Sequence, residues 1–319
     1  MARRATFIEN HIAENASVLI ADAGNYTSFN RRMGADHADC MLKCMGRMGY
    51  DVLGISNKDL DTGIELLKDA ETQYGLKFVC ANLYNKTTNQ PYFSPYIIKK
   101  DAGLKVGIFG LTEELYWRDR ILMDTLGIET RPYREICPDI VNKLRSKVHY
   151  VVLLTDLRNN SLDSLLLNNP GIDLAITTGT YKAGVRRIDD CPTLVVGTGH
   201  RGMSGNLVEI PFDPQYGDSV VYHEAEALLT DEVASDSLLT ALVQDCKPKP
   251  QPVVRQNTRR PRSQTALEGR AAPGTEGEDK SSQIAGKKPI SKTPFPKPVA
   301  RTIPPMESSS KDKASPDGK

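Results

Sequence analysis

Gly103-Leu-Lys-Val-Gly-Ile-Phe-Gly-Leu-Thr112 and His149-Tyr-Val-Val-Leu-Leu154 are the stretches on which the fold turns. Each is a short apolar run with β-branched or small residues inside it. A strand with one wet face alternates apolar and polar residues, and these runs do not. Both faces of the sheet they form are therefore expected to be covered.

Working outward, the same pattern recurs between helical patterns. Ala5 to Glu14 carries Phe7, Ile8 and Ile12 at helical spacing, and Ser17 to Ala21 follows as a buried strand. Asp36 is placed to cap a helix running to Met48, with Cys40, Met41, Cys44, Met45 and Met48 on one side. Tyr50 to Ile55 reads as a strand, and Leu60 to Tyr74 as a helix ended by Gly75. Phe78–Ala81, Tyr96–Lys99 and Lys105–Gly110 read as strands, and Pro132 to Lys147 as a helix leading into His149–Leu154. Leu174–Thr177, Thr193–Val196, Leu207–Ile210 and Ser219–Glu224 are further strands, and Asp231 to Val243 a last helix. Alternation of this kind makes the chain an α/β protein. No internal repeat is visible.

The chain has 319 residues, with 39% hydrophobic and 25% charged side chains, which excludes a wholly disordered or collagen-like chain. No apolar run reaches the roughly 18 residues of a membrane helix, so no transmembrane segment is expected. The basic N-terminus has no apolar segment behind it, and as written the chain reads as cytoplasmic. Six cysteines without a CxxC pair do not suggest a disulfide framework; Cys40 and Cys44 read as core thiols, and Cys246 carries no motif.

The net charge of +1 hides an asymmetry. Residues 247–319 hold 16 basic and 7 acidic side chains and 12 of the 20 prolines, leaving 25 basic and 33 acidic residues in 1–246. Residues 1–246 are thus expected to be one domain, and 247–319 a disordered Pro/Lys/Arg/Ser-rich tail. Arg259-Arg-Pro-Arg262 and Pro294-Phe-Pro-Lys-Pro298 would let that tail meet an anionic or protein partner. Without interleaved aromatics there is no specific nucleic-acid signal.

Ligands of open α/β folds lie beyond the carboxyl ends of the strands. Those ends read Asp22-Ala-Gly-Asn25, Ser56-Asn-Lys-Asp59, Ala81-Asn-Leu83, Thr155-Asp-Leu157, Thr178-Gly-Thr-Tyr181 and Gly197-Thr-Gly-His200. Ordinary turns have the same composition.

In order and spacing, Leu19-Ile-Ala-Asp-Ala-Gly-Asn25, Gly49 to Gly63, Ala81-Asn-Leu83, Pro95-Tyr-Ile-Ile98, Gly103 to Thr112, Val152 to Arg158 and Pro170 to Tyr181 resemble a known family. They are similar to the N-terminal domain of the 5′-nucleotidase / UDP-sugar hydrolase branch of the calcineurin-like metallophosphoesterases. The resemblance covers Ala5 to Asp213 and implies a two-sheet sandwich flanked by helices. It also implies two divalent ions held by a DxH strand, a bridging Asp, an Asn and later histidines.

The departures fall on those ligands. The bridging Asp falls on Asn25, the catalytic His on Lys58, a later His on Asp156, and the last two on Gly179 and Tyr181; the Asn is kept as Asn57. The DxH strand is missing, so an unpaired apolar edge is expected beside Ser17–Ala21. If an export signal and that strand lie upstream of Met1, the expected location becomes periplasm or cell envelope.

An amide at 25 and an ammonium at 58 do not hold dications together. The leading expectation is a catalytically degenerate domain, without cofactor or catalytic residues, that acts as a binding or interaction module. A nucleotide or other phosphorylated small molecule would meet Asn57, Asn82, His200 and Arg201, the last two in a Gly-rich turn suited to anions. The alternative is an active phosphohydrolase of nucleotides or phosphate esters, with Mn, Zn or Mg held by Asn57, Asp59, Asp156 and His200. Asp22, Asp59 and Asp156 could also hold one Mg²⁺ or Ca²⁺ with Asn57. The plainer reading has Asp59 cap a helix and Asp22 satisfy turn amides. Lys58 would then be free to neutralise Asp156.

Overall fold

The structure, a computed structural model, describes residues 1–14, 17–26, 34–101, 103–114, 123–180, 182–199, 202–209 and 223–246. The expected tail at 247–319, Tyr181, His200, Arg201 and residues 219–222 of the expected strand lie outside them.

Two sheets carry the fold. The first consists of β1 (Ala21–Asp22), β2 (Val52–Gly54) and β3 (Phe78–Val79), parallel and in that order. β4 (Leu83–Asn85) pairs instead with β7 (Ile128–Thr130). The second sheet holds β5 (Tyr96–Asp101), β6 (Leu104–Leu111), β8 (Tyr150–Thr155), β9 (Leu174–Thr177), β10 (Ala183–Arg187) and β11 (Leu194–Thr198). Its spatial order is β10-β11-β9-β8-β6-β5, parallel in the middle and antiparallel at both edges. β12 (Ser204–Glu209) and β13 (His223–Leu228) form a hairpin.

The period of two along each strand explains the layering. In β8, Tyr150, Val152 and Leu154 enter a core between the sheets with Ala23, Val52 and Val79, while Val151 and Leu153 face the opposite way. There they meet α4 (Tyr133–Arg145), through Cys137, Val141 and Leu144, and α5 (Asn159–Leu167), through Leu162, Leu165 and Leu166. On the far side of the first sheet lie α1 (Ala2–Glu14), α2 (Gly34–Arg47), α3 (Ile64–Tyr74) and α6 (Ser237–Asp245), with Leu42, Met45, Leu67 and Leu239 in their core. The result is the expected two-sheet α/β sandwich flanked by helices. Each fully buried Leu or Val contributes about 1.5–3 kcal/mol.

Several boundaries differ from expectation. The strand expected over Ser17–Ala21 shortens to Ala21–Asp22. Among the described residues it pairs with β2 alone, leaving the edge that was anticipated. The helix expected from Leu60 breaks at Gly63, whose φ of 93° no helix tolerates, and a 3-10 turn over Asn57–Thr62 precedes α3. α5 escaped the sequence reading because Asn159, Asn160 and Ser161 read as a loop, although Leu162, Leu165 and Leu166 have helical spacing.

The cysteine reading is corrected more sharply. Cys40 on α2 is disulfide-bonded to Cys246 after α6, across 206 residues of sequence, with Cα atoms 5.8 Å apart. Loop closure of that size contributes about 5 kcal/mol in the chain-entropy account. Cys44 remains a buried thiol, as expected.

The two sheets are in close contact at Gly110, where an added Cβ would lie 2.0 Å from the Val79 carbonyl oxygen. Backbone cannot yield there without separating the sheets. Gly110→Ala is expected to lower unfolding free energy by roughly 3 kcal/mol, read from urea denaturation; a loss within measurement error would refute this packing.

Candidate functional site

The carboxyl ends of β1, β2, β3, β6, β8 and β9 converge, and the polar residues there are joined by hydrogen bonds. Asp156, directly after β8, is buried. Its Oδ2 accepts from the Asn57 amide at 2.7 Å and the Thr112 hydroxyl at 3.3 Å, and its Oδ1 from the Glu113 amide at 2.6 Å. Asn57 follows the first sheet and Glu113 the second, so one carboxylate ties the two sheets together.

Asp59 has an equivalent role beside it. Its Oδ2 accepts from the Asn25 amide at 2.7 Å, the Ser56 amide at 3.0 Å and the Ser56 hydroxyl at 2.8 Å. Ser56 and Asp59 close a capping box on the 3-10 turn. Asn25 sits at φ 63°, a left-handed conformation that Asn tolerates. Asp22 accepts from the Gly24 amide at 3.1 Å, the turn role expected of it.

Asn82 is buried and fully engaged. It donates to the Thr112 and Arg131 carbonyls at 2.9 and 3.0 Å and accepts from the Thr112 amide at 3.0 Å. Expected as a ligand contact, it joins the loops bearing Thr112 and Arg131 in this structure. Gly179 packs on the Asp156–Leu157 backbone, where a Cβ would stand 2.1 Å from the Leu157 carbonyl oxygen. Lys58 is exposed.

Electrostatically the site is a file of carboxylates. Burial raises Asp156 to about 6 against the pull of the Asn57 and Glu113 amides, and Glu113 and Asp59 add repulsion. Burial likewise raises Glu113 and Asp22, and arginines at the two ends oppose it. Arg158 lies 3.8 Å from Glu113, and Arg4 of α1 lies 3.7 Å from Asp22 and 3.2 Å from the Tyr50 hydroxyl.

The structure thus brings Asn25, Asn57, Asp59, Asn82, Asp156 and Gly179 together; Tyr181, His200 and Arg201 lie outside the described residues. It adds Arg4, Thr112, Glu113 and Arg158. Thr112 and Glu113 follow β6, so the strand-end rule applied to that strand reaches them. Arg4 has no such signal, because only the docking of α1 carries it to Asp22. Beside Glu113 a cavity of about 240 Å³ is lined by Lys86, Glu114, Asp124, Thr130 and Arg131. Arg131 lies over the Tyr84 ring at 3.6 Å, and the Thr130 hydroxyl oxygen is buried without a partner.

A pair of divalent ions does not fit the described donors. Asp59 Oδ2 and both oxygens of Asp156 already accept backbone amides. Position 25 presents an amide, and position 179 admits no side chain. Among the described residues, no group of three or more His, Cys, Asp or Glu side chains is arranged to hold a metal ion.

No protein-family model matches the chain. A 5′-nucleotidase of Vibrio cholerae is 27% identical over 151 residues, which are 46% of this chain and 27% of that protein. Among solved structures, the sulfate thiohydrolase SoxB of Thermus thermophilus superposes with a TM-score of 0.66 at 16% identity, over 77% of this chain and 46% of that one. The calcineurin-like phosphoesterase YfkN of Bacillus subtilis gives 0.62 at 16% identity, over 77% and 87%. This chain therefore spans only part of the length of the 5′-nucleotidase relative, and it shares the fold of both structures.

Two outcomes follow from the geometry. Because Asp156 titrates higher folded than unfolded, its ionisation opposes folding: the cost is absent below about pH 4 and complete above about pH 6, reaching roughly 3 kcal/mol. Asp156→Asn should therefore gain on the parent chain by about that amount between pH 4 and 7 in urea titrations, and parallel profiles would contradict it. Gly179→His, which supplies the imidazole implied by the resemblance, should destabilise by several kcal/mol (about 3 or more) and leave zinc binding unchanged by calorimetry.

Proposed function

We propose that this chain, which shares its fold with a calcineurin-like phosphoesterase and is similar in sequence to a 5′-nucleotidase, is a degenerate member of that group which acts by binding. The supporting observation is that Asp156 and Asp59 accept loop amides where hydrolytic relatives are expected to hold metal. Without ions there is no metal-activated water to attack phosphorus. What remains is a rigid set of strand ends and a neighbouring polar cavity. Its ligand would be a nucleotide or another phosphorylated small molecule, contacted by Asn57 and by the turn bearing His200 and Arg201. The basic, Pro-rich segment after 246 would serve protein partners.

Among the described residues no helix is long and apolar enough to cross a membrane. The Cys40–Cys246 disulfide favours an oxidising compartment, and so the cell-envelope location over the cytoplasm.

The test is metal analysis by mass spectrometry, combined with hydrolysis assays on AMP and p-nitrophenyl phosphate in Mn²⁺, Zn²⁺ or Mg²⁺. Substoichiometric metal and no turnover, with AMP binding seen by calorimetry, is the expected result. Stoichiometric metal with turnover abolished by Asp156→Ala would instead establish the hydrolase, using a reduced set drawn from Asn57, Asp59, Asp156 and His200.

A further inference from the structure

We propose that the Cys40–Cys246 disulfide is a redox lock that holds the first and last described helices on the domain and so keeps Arg4 against Asp22 and Tyr50. α6 has nine residues, of which Leu239 is buried, Leu242 and Val243 pack half-buried beside it, and Leu238 is 60% exposed. A helix this short with one fully buried anchor is held weakly by packing. Its two ends are fastened instead. At the start, the Asp236 amide donates to the Ala2 carbonyl at 3.3 Å; at the finish, Cys246 is bonded to Cys40 of α2.

α1 depends on the same segment. Of its residues only Ala5 and Ile8 are buried. Arg3 pairs with Asp231 and reaches the Leu229 carbonyl at 3.5 Å, and Phe7 lies on Gly205, where a Cβ would stand 2.9 Å from the ring. α1 and residues 229–246 thus support each other, and the disulfide is the covalent link from that pair to α2. Arg4 rides on α1, and its guanidinium reaches Tyr50 and Asp22 only while α1 is docked. Losing it would leave the Asp22 carboxylate, and Asp59 beside it, without that counter-charge.

Cys40 is buried but Cys246 is half-buried, so a small dithiol has one sulfur to attack. Its thiolate bonds to the Cys246 sulfur and expels Cys40. Its second thiol then closes the reagent's own disulfide and frees Cys246. Two electrons and two protons pass from the dithiol to the protein, leaving two cysteine thiols.

The experiment is hydrogen exchange by mass spectrometry on the full chain, oxidised and in dithiothreitol. Reduction should lower amide protection about tenfold or more in 2–14, 20–26 and 237–245, while β6, β8 and β9 keep theirs. Cys246→Ser should reproduce the reduced pattern without reductant. In the oxidised chain, Arg4→Ala should open 20–26 alone and leave 237–245 protected. Unchanged protection in dithiothreitol would overturn the lock, as would loss across β6, β8 and β9 together. Equal opening of 237–245 in Arg4→Ala would overturn the order of events, from disulfide to helices to Arg4.

Discussion

Asp156 joins the loop after β2 in one sheet to the loop after β6 in the other, and the floor of the site takes its shape from that single carboxylate. A carboxylate accepting buried amides is a strong tie, because the alternative for each amide is an unmet hydrogen bond in a low-dielectric interior. Asp59 repeats the device one turn away, linking the β1 loop to the 3-10 turn. Asn82 repeats it with an amide, between the loops bearing Thr112 and Arg131. The strand ends are held by side chains of this chain.

The site gathers several carboxylates at the strand ends. Burial chiefly raises Asp22, Asp156 and Glu113, and nearby carboxylates add to it, Asp59 at Asp22, Glu113 and Asp59 at Asp156, and Glu114 at Glu113. Backbone amides, Arg4 and Arg158 supply the opposing field. All of these are fixed donors of partial or unit charge. Arg4 is the one contributed by a helix whose own hold on the domain is slight, which joins the electrostatics of the site to the attachment of the chain's two ends.

Much of the architecture was readable because it follows from patterning. The apolar runs at 104–111 and 150–155 announce a sheet covered on both faces, since each successive side chain meets a different core. The departures at Asn25, Lys58, Asp156 and Gly179 were equally visible, being matters of side-chain chemistry at known spacing. The hydrogen-bond network that ties the strand ends was less legible. That Asp156 would accept the Asn57 and Glu113 amides depends on loops separated by 99 and 43 residues meeting to within hydrogen-bond distance. Spacing alone does not encode such a meeting.

By itself the sequence determined an α/β chain with sheet covered on both faces and polar residues gathered at the strand ends. Each of these depends on residue type and local period. Only the tertiary structure decided that Cys40 faces Cys246, that Arg4 reaches Asp22, and that Gly179 is pressed against the Leu157 carbonyl. Those facts are distances between segments far apart in the chain, and the packing of helices on sheets sets them.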